Sequence, residues 1–176
     1  MTDGKKQEAR PGSLLVAAAN MVDPNFGRTV VLLCEHRKEG SFGLVLNQPI
    51  ELKISELVET CGWDCDVFRG GPVDLNSLHI LHCRDDIEIG SHQVIPGVYW
   101  GGDFRKLNGL LAEGVMEPHE CRFFLGYSGW GEQQLDDELA HDAWYVADAS
   151  VDLVFRKDNV NHWRETLKRI DRKSVV

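Results

Sequence analysis

Two stretches of the chain are too continuously apolar to be half-exposed strands. Ser13 to Ala19 and Arg28 to Glu35 are rich in Val and Leu, which predicts buried strands. Between them, Asp23-Pro24-Asn25-Phe26-Gly27 carries the residues of a turn, and Phe26 is the apolar anchor that pins the loop to the core. Glu39-Gly40 begins the next turn, and Ser41 to Asn47 reads as a third strand. Asn47-Gln48-Pro49 ends it, because proline lacks the ladder donor and restricts the residue before it.

Helical spacing appears next. Ile54, Leu57, Val58 and Cys61 form one apolar stripe over Lys53 to Cys61, with Gly62 as the stop. Val67 to Val73 is a short strand entering a tight glycine turn. Ser77 to Cys83 is a strand with Leu78, Ile80 and His82 on one face and His79, Leu81 and Cys83 on the other. Gln93 to Trp100 reads as one strand interrupted at Pro96-Gly97. Asp103 is the predicted N-cap of a helix carrying Phe104, Leu107, Leu110 and Leu111 and stopping near Gly114. Cys121 to Leu125 is a buried strand that runs into Gly126-Tyr127-Ser128-Gly129-Trp130-Gly131, read as a strained turn, and then into a helix around Leu135 to Leu139. Trp144 to Ala147 and Val151 to Phe155 are strand candidates. Asn159 to Ile170 closes the chain as a helix with Val160, Trp163, Leu167 and Ile170 on one side. Strands cluster with short helices between them instead of alternating strictly. The expected fold class is therefore α+β, with a mainly antiparallel or mixed sheet.

Composition narrows the function classes. A length of 176 residues fits one domain, expected over 12–176 behind a frayed tail at 1–11. The N-terminus has no apolar signal segment and no apolar run approaches a membrane span, so the cytoplasm is the expected compartment. The five cysteines, an odd set, are expected to be reduced thiols, several of them serving as small core residues. A net charge of −9 argues against a nucleic-acid footprint, which needs a basic face. The C-terminal segment from Arg156 to Lys173 is locally basic and reads as a solvated helix face.

The candidate chemistry is sparse. Gly126-Tyr127-Ser128 begins like a nucleophile elbow, but the second glycine position holds Trp130. Cys61 and Cys65 are one residue too far apart for the redox Cys-x-x-Cys spacing. A zinc set drawn from Cys61, Cys65, His79, His82 and Cys83 fails because alternation sends His79 and His82 to opposite faces. Arg69-Gly70-Gly71-Pro72 offers a cation beside backbone amides, the ingredients of an anion nest. His36, at a strand end, has the chemistry of an acid–base residue or of a loop-bonding one. The acidic run Glu132, Asp136, Asp137 and Glu138 lacks the alternating spacing of a cation site and reads as a solvated helix face.

Five motifs occur in order: Gly12-Ser-Leu-Leu-Val-Ala, Asp23 to His36, Gly43-Leu-Val-Leu-Asn-Gln-Pro49, Arg69-Gly-Gly-Pro-Val73 and Gly126 to Gly131. Together they resemble the YqgE/AlgH family of bacterial proteins over residues 12 to about 155. The resemblance implies a compact α+β fold of coiled, bifurcated sheets and no particular reaction. It also carries the label of transcriptional regulator, drawn from a genetic link to alginate production. The chain departs from the family pattern with Ala19 where proline is usual and Gln133 where glycine is usual.

The expected function is that of a non-enzymatic regulatory or ligand-binding protein whose partner is a small molecule or a protein. Direct DNA binding is not expected, because the chain is acidic and has no helix-turn-helix pattern. The candidate ligand-binding residues are Arg28, His36, Asn47, Arg69, Gly70, Gly71, Ser128, Gly129 and Trp130. No catalytic residue, metal ligand or cofactor is assigned. The alternative is an enzyme acting on a small anionic substrate held by the Arg69-Gly70-Gly71 turn, with His36 or Ser128 carrying the chemistry. In an adaptor reading, Trp63, Trp100 or Trp130 is an exposed anchor. The ligand-site assignment expects Val at Gly71 or Gly129 to abolish binding while leaving the fold intact.

Overall fold

The computed structural model describes residues 8–58 and 64–174, with side chains as far as residue 170. Along the chain run β1 (Ser13–Ala17), β2 (Val30–Arg37), β3 (Gly40–Val45) and β4 (Pro49–Lys53), then a one-turn helix α1 (Ile54–Leu57). Next come β5 (Asp66–Arg69), β6 (Val73–His82), the hairpin of β7 (His92–Ile95) and β8 (Val98–Trp100), and α2 (Phe104–Ala112). A 3-10 turn at Pro118–Glu120 leads into β9 (Cys121–Gly131). The chain ends with α3 (Gln134–Ala140), β10 (Trp144–Asp148), α4 (Val151–Val154) and α5 (Asn159–Ser174).

The sheet forks at β9, an eleven-residue strand. Its first half lies between β5, which it pairs in parallel, and β6, which it pairs antiparallel. Its second half, Ser128 to Gly131, pairs antiparallel with β3. One arm then continues β3-β2-β1-β10, and the other carries β6-β8-β7, with β4 attached through β5. The result is an α+β fold of mostly antiparallel, curled sheet with a few short helices.

Burial explains the apolar runs. In β2, Val30, Leu32 and Cys34 enter one core cluster while Val31 and Leu33 enter another. Successive side chains point to opposite faces, so a strand covered on both sides shows no alternation. The first face packs against Phe68, Phe124, Leu153 and Val154, and the second against Trp130, Leu135 and Trp144. A third cluster sets Leu107 and Leu111 of α2 over Val67, Ile80 and Phe123. Asp103 caps α2 as expected, accepting from the Arg105 amide at 2.9 Å.

Several expectations are corrected. Gly126 to Gly131 is not a turn but the second half of β9, bent at Gly126, whose φ is +71°. Trp130 is 4% exposed there, packed against Phe26 and Trp144, so it is no docking anchor. Val151 to Phe155 is not a strand. Four of its residues form α4, capped by Ser150 Oγ, which accepts from the Leu153 amide. Gln93 to Trp100 is two paired strands; the third strand ends at Val45, ahead of Pro49 as expected, and Pro49 opens β4. Of the helix expected over Lys53 to Cys61, Ile54–Leu57 is helical and Val58 is not, while residues 59–63 lie outside the described residues. Val160 is 91% exposed, and the inward side of α5 is instead His162 and Thr166, beside Trp163.

Gln133 stands where the resembled family has glycine, and it adopts a left-handed conformation at φ 66° before α3. A side chain there costs about 1 kcal/mol relative to glycine. Gln133→Gly is expected to raise the urea midpoint by an amount worth up to about 1 kcal/mol. A lowered midpoint contradicts that reading.

Candidate functional site

The sequence-predicted residues fall into three separate places. Arg28, Asn47 and Arg69 gather around the loop that Asp23 opens. Asn47 Oδ1 accepts from the Val30 amide at 3.0 Å, and its Nδ2 donates to the Arg28 carbonyl at 2.9 Å. Arg69 Nη2 donates to Asn25 Oδ1 at 3.1 Å, and its amide donates to the Gln48 carbonyl. The Arg28 guanidinium lies over the Trp163 ring. These polar groups hold the loop down, and Phe26 fixes it from beneath against Trp130 and Trp144.

Gly70, Gly71 and Ser128 form a backbone crossing. The Gly70 amide donates to the Leu125 carbonyl at 2.9 Å. The Gly70 carbonyl accepts from the Val45 amide and from Ser128 Oγ at 3.0 Å. A Cβ at Gly70 would stand 2.4 Å from the Gly126 carbonyl oxygen. Ser128 is wholly buried, so its hydroxyl ties two strands together. Gly129 and Trp130 stand in register opposite Phe42 and Ser41.

His36 lies in a third place. Its Nδ1 is 2.6 Å from Ser41 Oγ across the β2–β3 pair, and its Nε2 is 3.4 Å from Asp136 Oδ1 on α3. A carboxylate only accepts, so a hydrogen on Nε2 is what faces Asp136, and in the neutral ring that leaves Nδ1 to accept the Ser41 hydroxyl hydrogen. Sequence reasoning marked His36 but gave no sign of Ser41 or Asp136 as its partners.

An open cleft of about 480 Å³ lies elsewhere, lined by His82, Arg84, Ser91, Tyr99 and Lys106 together with Asp85, Glu88 and their neighbours. It forms where β6 ends, where β8 returns beside it, and where α2 crosses. Tyr99 stacks on the His82 ring at 5.2 Å. Arg84 braces the wall, bonding Asp86, the Glu120 carboxylate and the Val115 carbonyl. Burial, with Arg84 adding to it, holds the His82 imidazole below its ordinary range.

The hydrogen bonds of this cleft run in one direction. The Arg84 amide donates to His82 Nδ1 at 3.2 Å, which makes that nitrogen an acceptor. His82 Nε2 therefore carries the ring proton and donates to Ser91 Oγ at 2.8 Å. Ser91 in turn donates to the Gly101 carbonyl at 2.7 Å. The imidazole already points a proton at the serine and cannot take one from it. Sequence reasoning weighed His82 only as a zinc ligand and missed the rest. The charge run Arg84-Asp85-Asp86 between apolar strands was the available signal. His79 and His82 do face different neighbours, Phe42 and Tyr127 for one, Ser91 and Tyr99 for the other. Among the described residues, no three His, Cys, Asp or Glu side chains are placed to hold a metal ion.

A forked, curled sheet hinged on one long strand defines the class: an α+β protein with the core divided among three clusters. The chain belongs to the AlgH-like family, which it matches over residues 14–174. It is 45% identical over 162 residues to UPF0301 protein CT0663 of Chlorobaculum tepidum, covering 90% of this chain and 86% of that one. A UPF0301 protein of Cytophaga hutchinsonii is 42% identical over 159 residues, covering 89% of this chain and 87% of its own. The solution structure of the AlgH protein from Pseudomonas aeruginosa superposes with a TM-score of 0.74 at 26% identity, covering 93% of this chain and 92% of that one. Protein DIP2367 from Corynebacterium diphtheriae shares the fold, with a TM-score of 0.78 at 22% identity over 94% and 89% of the two chains. Among the described residues, no helix is long and apolar enough to cross a membrane.

Proposed function

We propose that the chain is a non-enzymatic, cytoplasmic binding protein with a regulatory output. Its ligand, a small polar molecule or a short segment of a partner protein, sits in the cleft between β6, β8 and α2. The observation that carries this reading is the direction of the Arg84–His82–Ser91–Gly101 hydrogen bonds. The cleft holds a serine and a histidine in contact, yet the histidine is fixed as a donor, an arrangement for shape and recognition and not for activating a nucleophile. Regulation runs through that ligand or partner and not through DNA, since the net charge of −9 opposes contact with phosphates.

The test is amide shift mapping by NMR while a panel of polar metabolites and short peptides is titrated in. A binder is expected to move the Gly90, Ser91 and Lys106 amides, and Tyr99→Ala is expected to weaken it at least tenfold with the fold retained. Shifts confined to the loop held by Asn47 and Arg69 would move the site there.

A second reading, an enzyme in which His36 handles protons, draws on the Ser41–His36–Asp136 line, which has the polarity that activating a hydroxyl needs. A small anion at the Arg69-Gly70-Gly71 turn would lack the Gly70 amide, which already serves Leu125. Covalent labelling of Ser41 by a fluorophosphonate, lost in His36→Ala, would favour the enzyme. No labelling sets it aside.

A further inference from the structure

Cys65 and Cys121 are far apart in the chain and meet where β5 and β9 begin. Cys65 Sγ lies 3.4 Å and Cys121 Sγ 3.5 Å from the same atom, the Pro118 carbonyl oxygen. The strand register says the same independently. Val67 stands opposite Phe123 and Phe68 opposite Phe124 in the parallel β5–β9 pair. Carried back two residues, that register sets Cys65 opposite Cys121. Neighbouring strands lie about 4.8 Å apart, inside the Cα separation of about 4.4–6.8 Å that a disulfide spans.

We propose that Cys65 and Cys121 form a peroxide-oxidisable thiol pair that closes to an intramolecular disulfide and staples the β4–β5 arm to the hub strand. This goes beyond the binding reading and does not depend on it. The two sulphurs differ in the way such a pair requires. Cys65 is half-buried, and a hydrogen bond from Cys121 holds its thiol below the ordinary range, with Lys53 assisting. Cys121 is buried, and that same bond together with burial pushes its thiol up. Cys65 is therefore the attacking thiolate and Cys121 the resolving thiol.

The steps balance. Cys65 Sγ attacks one oxygen of the peroxide, the O–O bond breaks, and hydroxide leaves, giving a sulfenic acid at Cys65. Cys121 Sγ then attacks Cys65 Sγ. The S–S bond forms, the S–O bond breaks, and the hydroxyl departs as water with the Cys121 proton. The two thiols lose two electrons and two protons, and hydrogen peroxide becomes two waters.

The test treats the full chain with a few equivalents of hydrogen peroxide. Remaining thiols are alkylated in denaturant, and the digest is read by mass spectrometry. The expected product is one cross-linked peptide joining Cys65 to Cys121, lighter by two hydrogens and restored by dithiothreitol. Cys65→Ser, a change at a half-exposed position, is expected to remove it. Cys121→Ser is expected to leave a dimedone adduct on Cys65, although the proposal stands on the wild-type cross-link should that variant not fold. A disulfide from Cys65 to Cys61 or Cys83, a bond between two chains, or a dimedone-trapped Cys65 beside an alkylated Cys121 in the wild type overturns it.

Discussion

Gly71→Ala is expected to abolish cooperative folding near neutral pH or to lower stability by more than about 4 kcal/mol, the range reserved for a disrupted core. A Cβ at Gly71 would stand 2.2 Å from the Tyr127 carbonyl carbon and oxygen and 2.4 Å from the Ser128 nitrogen. Those are backbone atoms of β9, which both arms of the sheet share, so no side-chain rotation relieves the contact. The strands must part by several tenths of an ångström, and the Ser128–Gly70 bond goes with them. Gly129→Ala is the control. Its Cβ would meet the edge of the Tyr127 ring at 3.3 Å and Val73 Cγ2 at 3.8 Å, side-chain atoms and no backbone, and its cost is expected to stay below about 1 kcal/mol. Urea titrations followed by tryptophan fluorescence separate the two variants. A native midpoint for Gly71→Ala contradicts the account of the crossing. The expectation that valine at Gly71 would abolish binding in a folded protein therefore gives way to loss of the fold.

Acid is expected to unlatch α5 through His162. The residue is wholly buried, and neither ring nitrogen has a partner at hydrogen-bond geometry, the nearby Leu153 backbone of α4 included. Burial, followed by Arg156 after α4, Arg122 of β9 and Arg169 on α5 itself, pushes its pKa down to about 4. The folded value lies below the ordinary 6.5, so the unfolded chain binds more protons between them. Stability is full above pH 6.5 and falls as the pH drops toward 4. A gap of about 2.5 pH units is worth about 3 kcal/mol. His162→Leu is expected to remove that slope, so the wild-type urea midpoint should fall relative to the variant's on going from pH 7 to pH 4. Parallel curves would show that His162 does not carry the effect. Arg122 has no carboxylate partner among the hydrogen bonds it makes, which run to the Val154 and Arg156 carbonyls, and its guanidinium lies over Phe68. Protonated His162 would therefore meet the positive charge of Arg156, Arg122 and Arg169, of which Arg156 is partly offset by Asp158 at 4.0 Å.

Much of the fold is legible in the residues because the strands of the β3 arm are covered on both faces. Double coverage turns β1 and β2 into unbroken Val and Leu runs, and Asp103 announces α2 by the chemistry of its cap. Val151–Val154 is apolar in the same way, and four residues are too few to show a period. Only Ser150, placed to cap, distinguishes α4 from a strand. The glycines of β9 look like turn residues for a different reason. Gly126 and the Gly70-Gly71 pair let two backbones approach, and that requirement comes from a strand about fifty positions away in the chain. The site was less legible. Asn47, Arg69 and His36 stand out as polar residues beside apolar strands, yet their partners Asn25, Ser41 and Asp136 are set by register and by the docking of α3. The His82 cleft draws on β6, β8 and α2, which no single motif joins.

The most direct measurement is the nitrogen-15 spectrum of the His82 ring at neutral pH, assigned through a His82→Gln variant. The account predicts a neutral imidazole protonated at Nε2, with Nδ1 accepting from the Arg84 amide, as a recognition cleft requires. A ring protonated at Nδ1, leaving Nε2 free to take the Ser91 proton, would contradict it and make the cleft an active site.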